Sequence, residues 1–181
     1  MTSNLTELTA TALIVEYGRK TLSPVEVTRA VLDRIRTLQP SLNAFVLIDA
    51  EGALASARAS EARWMAGAPR GLVDGVPASV KDVMIAKGWP TLRGSKTVAP
   101  DQPWDQDAPM VARLREHGAV LLGKTTTPEF GWKGVSESPL TGITHNPWKH
   151  GYNAGASSAG AGASKASRCA ATHRSSRPWF R

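Results

Sequence analysis

The sequence predicts an α/β fold, with helices laid over a buried sheet, and three stretches predict it. Asp107 to Gly118 carries helix signals and runs directly into the apolar residues Ala119 to Leu122. A continuous apolar run suits a strand covered on both faces, and a helix leading into such a strand is the repeating unit of layered α/β folds. Ala44 to Ile48 is a second short apolar run, set between two helical stretches, and Val76 to Val80 is a third, β-prone one.

Each element has its own local signal. Asn4 and Glu7 are spaced as a capping box, and Gly18 is the expected stop of the first helix. Ser23 as N-cap, Pro24 at the first helical position and Glu26 three residues after the cap predict the second helix. Val27, Val31, Ile35 and Leu38 give it one apolar face, and Pro40 is expected to end it. Asp49 to Ala66 is alanine-rich and helical, closed by Gly67. These three helices form a packing layer with no chemistry assigned to them. In the later helix Asp107 is the expected cap, Pro109 lies in the first turn, Met110, Val111 and Leu114 face inward, and Gly118 stops it.

Composition narrows the function. The chain has 181 residues, 41% hydrophobic and 20% charged, enough for one domain with a real core. No apolar run approaches the roughly 18 residues of a membrane span. The first residues lack a basic segment ahead of their apolar part, so no secretory signal is expected. Cys169 is the single cysteine, which excludes an internal disulfide framework and fits a reducing, cytoplasmic setting. The net charge of +7 invites a nucleic-acid reading. Residues 164–181, however, hold Lys165, Arg168, Arg174, Arg177 and Arg181 with no acid, leaving +2 for the rest. The basicity therefore belongs to a tail and not to a folded face. His117, His145, His150 and His173 lack ligand-like spacing, so no metal is expected.

Three motifs bear on chemistry. Gly118 to Thr125 (GAVLLGKT) satisfies the phosphate-loop expression, but that loop needs a strand before it, flexible residues inside it and a helix after it. Here a helix precedes, the interior is apolar and Pro128 follows, so nucleotide binding is disfavoured. Gly75 to Asp82 (GVPASVKD) places Lys81 at the end of an apolar run. A lysine at a strand end is commonly a solvated charge, whereas one held in a desolvated site has a lowered pKa and can act as a base. Asn146 to Ala163 (NPWKHGYNAGASSAGAGA) sets two hydroxyls, Ser157 and Ser158, among residues with little side chain. Its bland alternative is a flexible linker.

Taken together, the last two segments resemble the amidase signature family. That family has a lysine in a GVP-x-x-V-K-D segment, then a GGSSGG segment, then a nucleophilic serine in a G-G-S context. The first matches closely, the second has Ala156 and Ala159 where the family has glycine, and the third is not found in this chain. Residues 118–131 (GAVLLGKTTTPEFG) also resemble a stretch the family carries before its serine-rich region, which gives Lys124 a structural reading.

The resemblance implies helices packed on a mixed β-sheet, an incomplete amidase-signature fold. It implies that residues 1–163 are the N-terminal part of that domain and 164–181 a basic tail, disordered or out of frame. It implies hydrolysis of a carboxylic amide by a Ser-Ser-Lys triad. In that triad Lys81 is the base, Ser157 is the bridging serine on a cis peptide bond, and Ser158 is a supporting hydrogen-bond partner. The family's nucleophile lies beyond these residues, so the chain alone is expected to be inactive or nearly so. No cofactor is expected; the partner is a small-molecule amide, with no nucleic acid, no membrane, and oligomers possible. Two alternatives stay open: a glutamine amidotransferase A-subunit-like protein working with partner subunits, and a non-enzymatic nucleic-acid-binding protein using its basic tail.

Overall fold

The computed structural model describes residues 5–155 and 157–172. After a 3₁₀ turn at Leu5–Glu7, the elements run α1 (Ala10–Gly18), α2 (Pro24–Leu42), β1 (Phe45–Ile48), α3 (Ala50–Met65), β2 (Pro77–Lys81), α4 (Pro109–Glu116) and β3 (Val120–Thr125). A second 3₁₀ turn at Glu129–Gly131 leads to the short pair β4 (Glu137–Ser138) and β5 (Gly142–Ile143), and α5 (Ala159–Thr172) follows.

Local chemistry explains most boundaries. Ser23 and Glu26 form the expected capping box at the start of α2. Asp49 accepts from the Gly52 N–H and caps α3, and Gly67 takes the left-handed conformation just past its end. Three caps differ from expectation. Asn4 lies outside the described residues, and α1 is capped instead by Thr9, whose hydroxyl accepts from the Ala12 N–H at 3.1 Å. Pro40 does not end α2, which continues to Leu42 and stops at Asn43 in the left-handed region. The Gln39 side chain compensates there, bonding the Ala44 and Phe45 N–H groups and the Phe45 carbonyl. Asp107 does not cap α4; its carboxylate accepts from the Lys87 N–H and pairs with Arg115.

The main sheet has the order β1-β3-β2, with β3 antiparallel to β1 and parallel to β2. It is therefore mixed, as expected, and β3 is buried along its whole length. Alternate residues of a strand face opposite sides. Val120 and Leu122 accordingly join one core with α2, α3 and Ala163 of α5, and Leu121 joins another with Val80, Trp89 and Val111 of α4. Opposite β2 the register slips: Ala78 pairs with Leu121 but Val80 pairs with Lys124, so β3 holds one extra residue. Gly123 lies in that bulge at φ 143°, where a Cβ would strike the Leu47 carbonyl.

The boundary expected after residue 163 falls inside α5, which continues to Thr172. Ala163 and Ser167 are buried on it, and Arg34 of α2 donates to the Ser167 carbonyl at 3.0 Å. The remainder of the expected tail, residues 173–181, lies outside the described residues. Among the described residues no helix is long and apolar enough to cross a membrane.

Candidate active site

The C-terminal end of β2 meets the bend before α5. Lys81 is the last residue of β2 and pairs with Thr125 of β3. Its Nζ donates to the Ser157 Oγ at 2.6 Å, across 76 positions of sequence. The Ser157 hydroxyl in turn donates to the Gly131 carbonyl at 3.0 Å. Thr127 donates to the Ser157 carbonyl at 3.1 Å and fixes the serine's backbone against the end of β3. Lys81 is half-buried, and desolvation holds its amine below the ordinary lysine value. A lysine so placed can lose its proton more readily than a surface lysine and take one from a hydroxyl in contact with it.

The bend is built from small residues for a reason. Gly155 sits at φ 101°, a conformation that favours glycine, and its N–H is held by the Asn153 side chain at 2.9 Å. Gly160 packs so closely on the Ala44 carbonyl and the Thr126 backbone that a Cβ would clash with both. Ala159, one of the two alanines in place of glycine, is the first residue of α5 and is buried at negative φ. Alanine suits a helix better than glycine does, so this departure costs the bend nothing. Ala156, the other departure, lies outside the described residues, and with it the Ala156–Ser157 peptide expected to be cis.

Of the three expected site residues, Lys81 and Ser157 meet. Ser158 does not join them: it is exposed, its carbonyl accepts the Gly162 N–H at the start of α5, and its hydroxyl has no hydrogen bond among the described residues. Two contributors were missed in the sequence reading, Gly131 and Thr127. The signal for Thr127 was available in Thr125-Thr126-Thr127, three hydroxyl residues in a row directly after Lys124. All three are buried, and Thr126 and Thr127 place their hydroxyls on partners inside the fold. Gly131 contributes a carbonyl, which any residue could supply, and its lack of a side chain leaves room beside Ser157.

Lys124 has the structural place expected of it. The phosphate-loop lookalike is strand β3 itself, and its lysine is fully buried and paired with Asp82 at 2.9 Å.

Known proteins resemble this chain in sequence and in fold. A family model described as Amidase matches residues 26–172. The chain is similar to the A-subunit of a glutamyl-tRNA(Gln) amidotransferase from Salinispora arenicola, at 43% identity over 164 residues, covering 91% of this chain and 33% of that protein. It is similar to an acylamidase of Rhodococcus erythropolis at 40% identity, covering 90% of this chain and 34% of that one. Its fold matches the crystal structure of a bacterial aryl acylamidase of the amidase signature enzymes with a TM-score of 0.83 and 32% identity, covering 89% of this chain and 34% of the other. The chain thus spans about a third of the length of the curated relatives it matches.

Proposed function

This chain belongs to the amidase family, and from that premise we propose that its described residues form the proton-accepting half of an amide-hydrolysing site, with Lys81 as base and Ser157 as relay. The reaction is cleavage of a small-molecule carboxylic amide by water, giving a carboxylate and ammonia or an amine. Lys81, in its neutral form, accepts the Ser157 proton. Ser157 can then take a proton from a second hydroxyl, the nucleophile, and so activate it. Gly131 orients the Ser157 hydroxyl before transfer and Thr127 holds the serine's backbone. Ser158, exposed at the start of α5, is assigned a supporting hydrogen bond once substrate or further polypeptide covers it.

The observation that carries this reading is the 2.6 Å contact between a desolvated amine and a hydroxyl on a small-residue bend. Among the described residues the Ser157 hydroxyl meets only Lys81 and Gly131, and no second serine. The chain alone is therefore proposed to be inactive or nearly so. The test has two arms. NMR titration of lysine side chains in the 181-residue protein is expected to show Lys81 losing its proton below the exposed lysines; titration alongside those would sink the base assignment. Aryl and aliphatic amides are expected to show little turnover, and robust turnover abolished by Ser157→Ala would overturn the proposed inactivity.

A second reading has a specific support: relatives named as amidotransferase A-subunits reach 43% identity. In that reading the amide is glutamine and the ammonia passes to a partner protein. Glutamine-dependent ammonia release that requires added partner subunits would favour it over a free-standing amidase.

A further inference from the structure

Directly beside Lys81 lies a buried ion pair that the proposed reaction leaves unused. Lys124 of β3 is 0% exposed, and Asp82, the residue after Lys81, is 1% exposed. The three donors of the Lys124 ammonium match three acceptors: Asp82 Oδ1 at 2.9 Å, the Pro90 carbonyl at 3.0 Å and the Thr91 hydroxyl at 2.5 Å. The other Asp82 oxygen accepts from the Gly94 N–H at 3.3 Å, and the Asp82 N–H donates to the Thr125 carbonyl at 3.0 Å. Stability alone does not call for such a pair, because apolar residues of similar volume often serve a core as well or better.

Two chains of contact leave this pair. One is covalent: Asp82, held by Lys124, Gly94 and Thr125, fixes the backbone that follows Lys81. The other runs through the loop at residues 90–94, which Lys124 and Asp82 pin from below. In that loop Arg93 sits at φ 56°, and its carbonyl accepts the Phe130 N–H at 2.8 Å; Phe130 itself sits at φ 51°. Left-handed backbone is uncommon for non-glycine residues and an outlier for a bulky one, and it persists where the surroundings over-determine it. Phe130 is followed by Gly131, whose carbonyl receives the Ser157 hydroxyl.

We propose that the Lys124–Asp82 pair is a positioning unit that sets both partners of the Ser157 hydroxyl, the Lys81 amine and the Gly131 carbonyl. The proposal rests on the reading of Lys81 as base, and its test separates the two. Burial pulls the Lys124 amine below the ordinary lysine value, Asp82 offsets that pull in part, and Arg93 adds to it. Removing either partner alone therefore leaves an ill-matched group in the core. The pair is best removed together.

The experiment follows Lys81 in selectively labelled 181-residue protein by NMR, its signal identified by its loss in Lys81→Arg. Wild type is compared with Asp82→Asn/Lys124→Met, which leaves no buried charge, and with Thr91→Val, which removes one Lys124 acceptor and is the milder change should the double variant not fold. In the folded variants the Lys81 midpoint is expected to rise towards the ordinary lysine range, by about one pH unit or more in the double variant. The amide resonances of Gly131 and Ser157 are expected to shift with it. If the pair only stabilises the fold, removing it would lower the unfolding midpoint and leave these readouts in place; that result overturns the proposal. Should wild-type Lys81 titrate as an ordinary lysine, the base reading falls. The Gly131 and Ser157 resonances then still decide the positioning claim, which fails if they are unmoved.

Discussion

The Gly131 carbonyl and the Ser157 hydroxyl meet at 3.0 Å, and the serine's proton points at that carbonyl while Lys81 donates to its oxygen. For Lys81 to receive the proton, the hydroxyl must swing from one neighbour to the other. In the proposed relay the Ser157 hydroxyl therefore starts turned towards Gly131 and away from the amine it must reach.

Gly131→Ala tests this contact. Gly131 sits at φ 70°, and a Cβ there would lie 3.2 Å from the Ser157 Oγ and 3.7 Å from the Lys81 Nζ. Left-handed backbone and crowding together are expected to cost about 1 kcal/mol or somewhat more, read from urea unfolding. Gly134→Ala, where a Cβ meets nothing within 4 Å, is the control and should stay within about 0.5 kcal/mol of wild type.

The Lys81 amine also leaves a signature in stability against pH. Its folded pKa lies below its unfolded one because of desolvation. Below the folded pKa, folding must carry a charged amine into a poorly hydrated site. This penalty is relieved as pH rises through the folded pKa towards the unfolded value of about 10.4. Wild-type stability should gain from this group across that window, and Lys81→Met should lack the gain. Parallel profiles of the two proteins in urea unfolding would refute it.

Asp74 gives a slope of the same sign in an acid window. It is fully buried, which opposes its charge, yet Arg63 at 2.8 and 2.5 Å and the Arg70 N–H at 2.7 Å hold its carboxyl below the usual aspartate value. Its stabilisation is present above the unfolded pKa of about 3.9 and is lost as pH falls through the folded value. Arg63→Met leaves the carboxylate buried and unpaired and is expected to cost about 3 kcal/mol at neutral pH. Unfolding by urea at neutral and acid pH checks both statements, and the variant's deficit should shrink in acid.

Gly123→Ala is the most disruptive single change expected. Its Cβ would strike the Leu47 carbonyl, and φ 143° is foreign to alanine. A loss of order 3 kcal/mol, or failure to fold, is the expected outcome by chemical denaturation.

Much of this was legible in the sequence where one residue type has one local job. The Ser23-Pro24-Glu26 start and the glycine stops at Gly67 and Gly118 depend on neighbours within one helical turn, and they stand in the structure. Pro40 misled because α2 runs two residues past it to Leu42, and the chain beyond the helix end is held by the Gln39 side chain, a contact that spacing alone does not reveal. Asp107 misled because a long-range partner, Arg115, competes for its carboxylate. At the site, Lys81 and Ser157 were found from their motifs, since each stands in a recognisable run. Gly131 was not, because a backbone acceptor can come from any residue. The three-threonine run was overlooked because the Thr126 and Thr127 hydroxyls find partners only after the chain has folded, as when Thr126 meets Thr144 at 2.7 Å.

One inserted residue in β3 settles the parity of everything after it. Without the bulge, position 124 would share a side with Val120 and Leu122, and an ammonium would be driven into the aliphatic layer beneath α2 and α3. With it, the same lysine is handed to Asp82 and Thr91. Straightening that strand at unchanged length would therefore do more than shift a register: it would turn Lys124 into the aliphatic layer and leave Asp82, next to Lys81, without its cation.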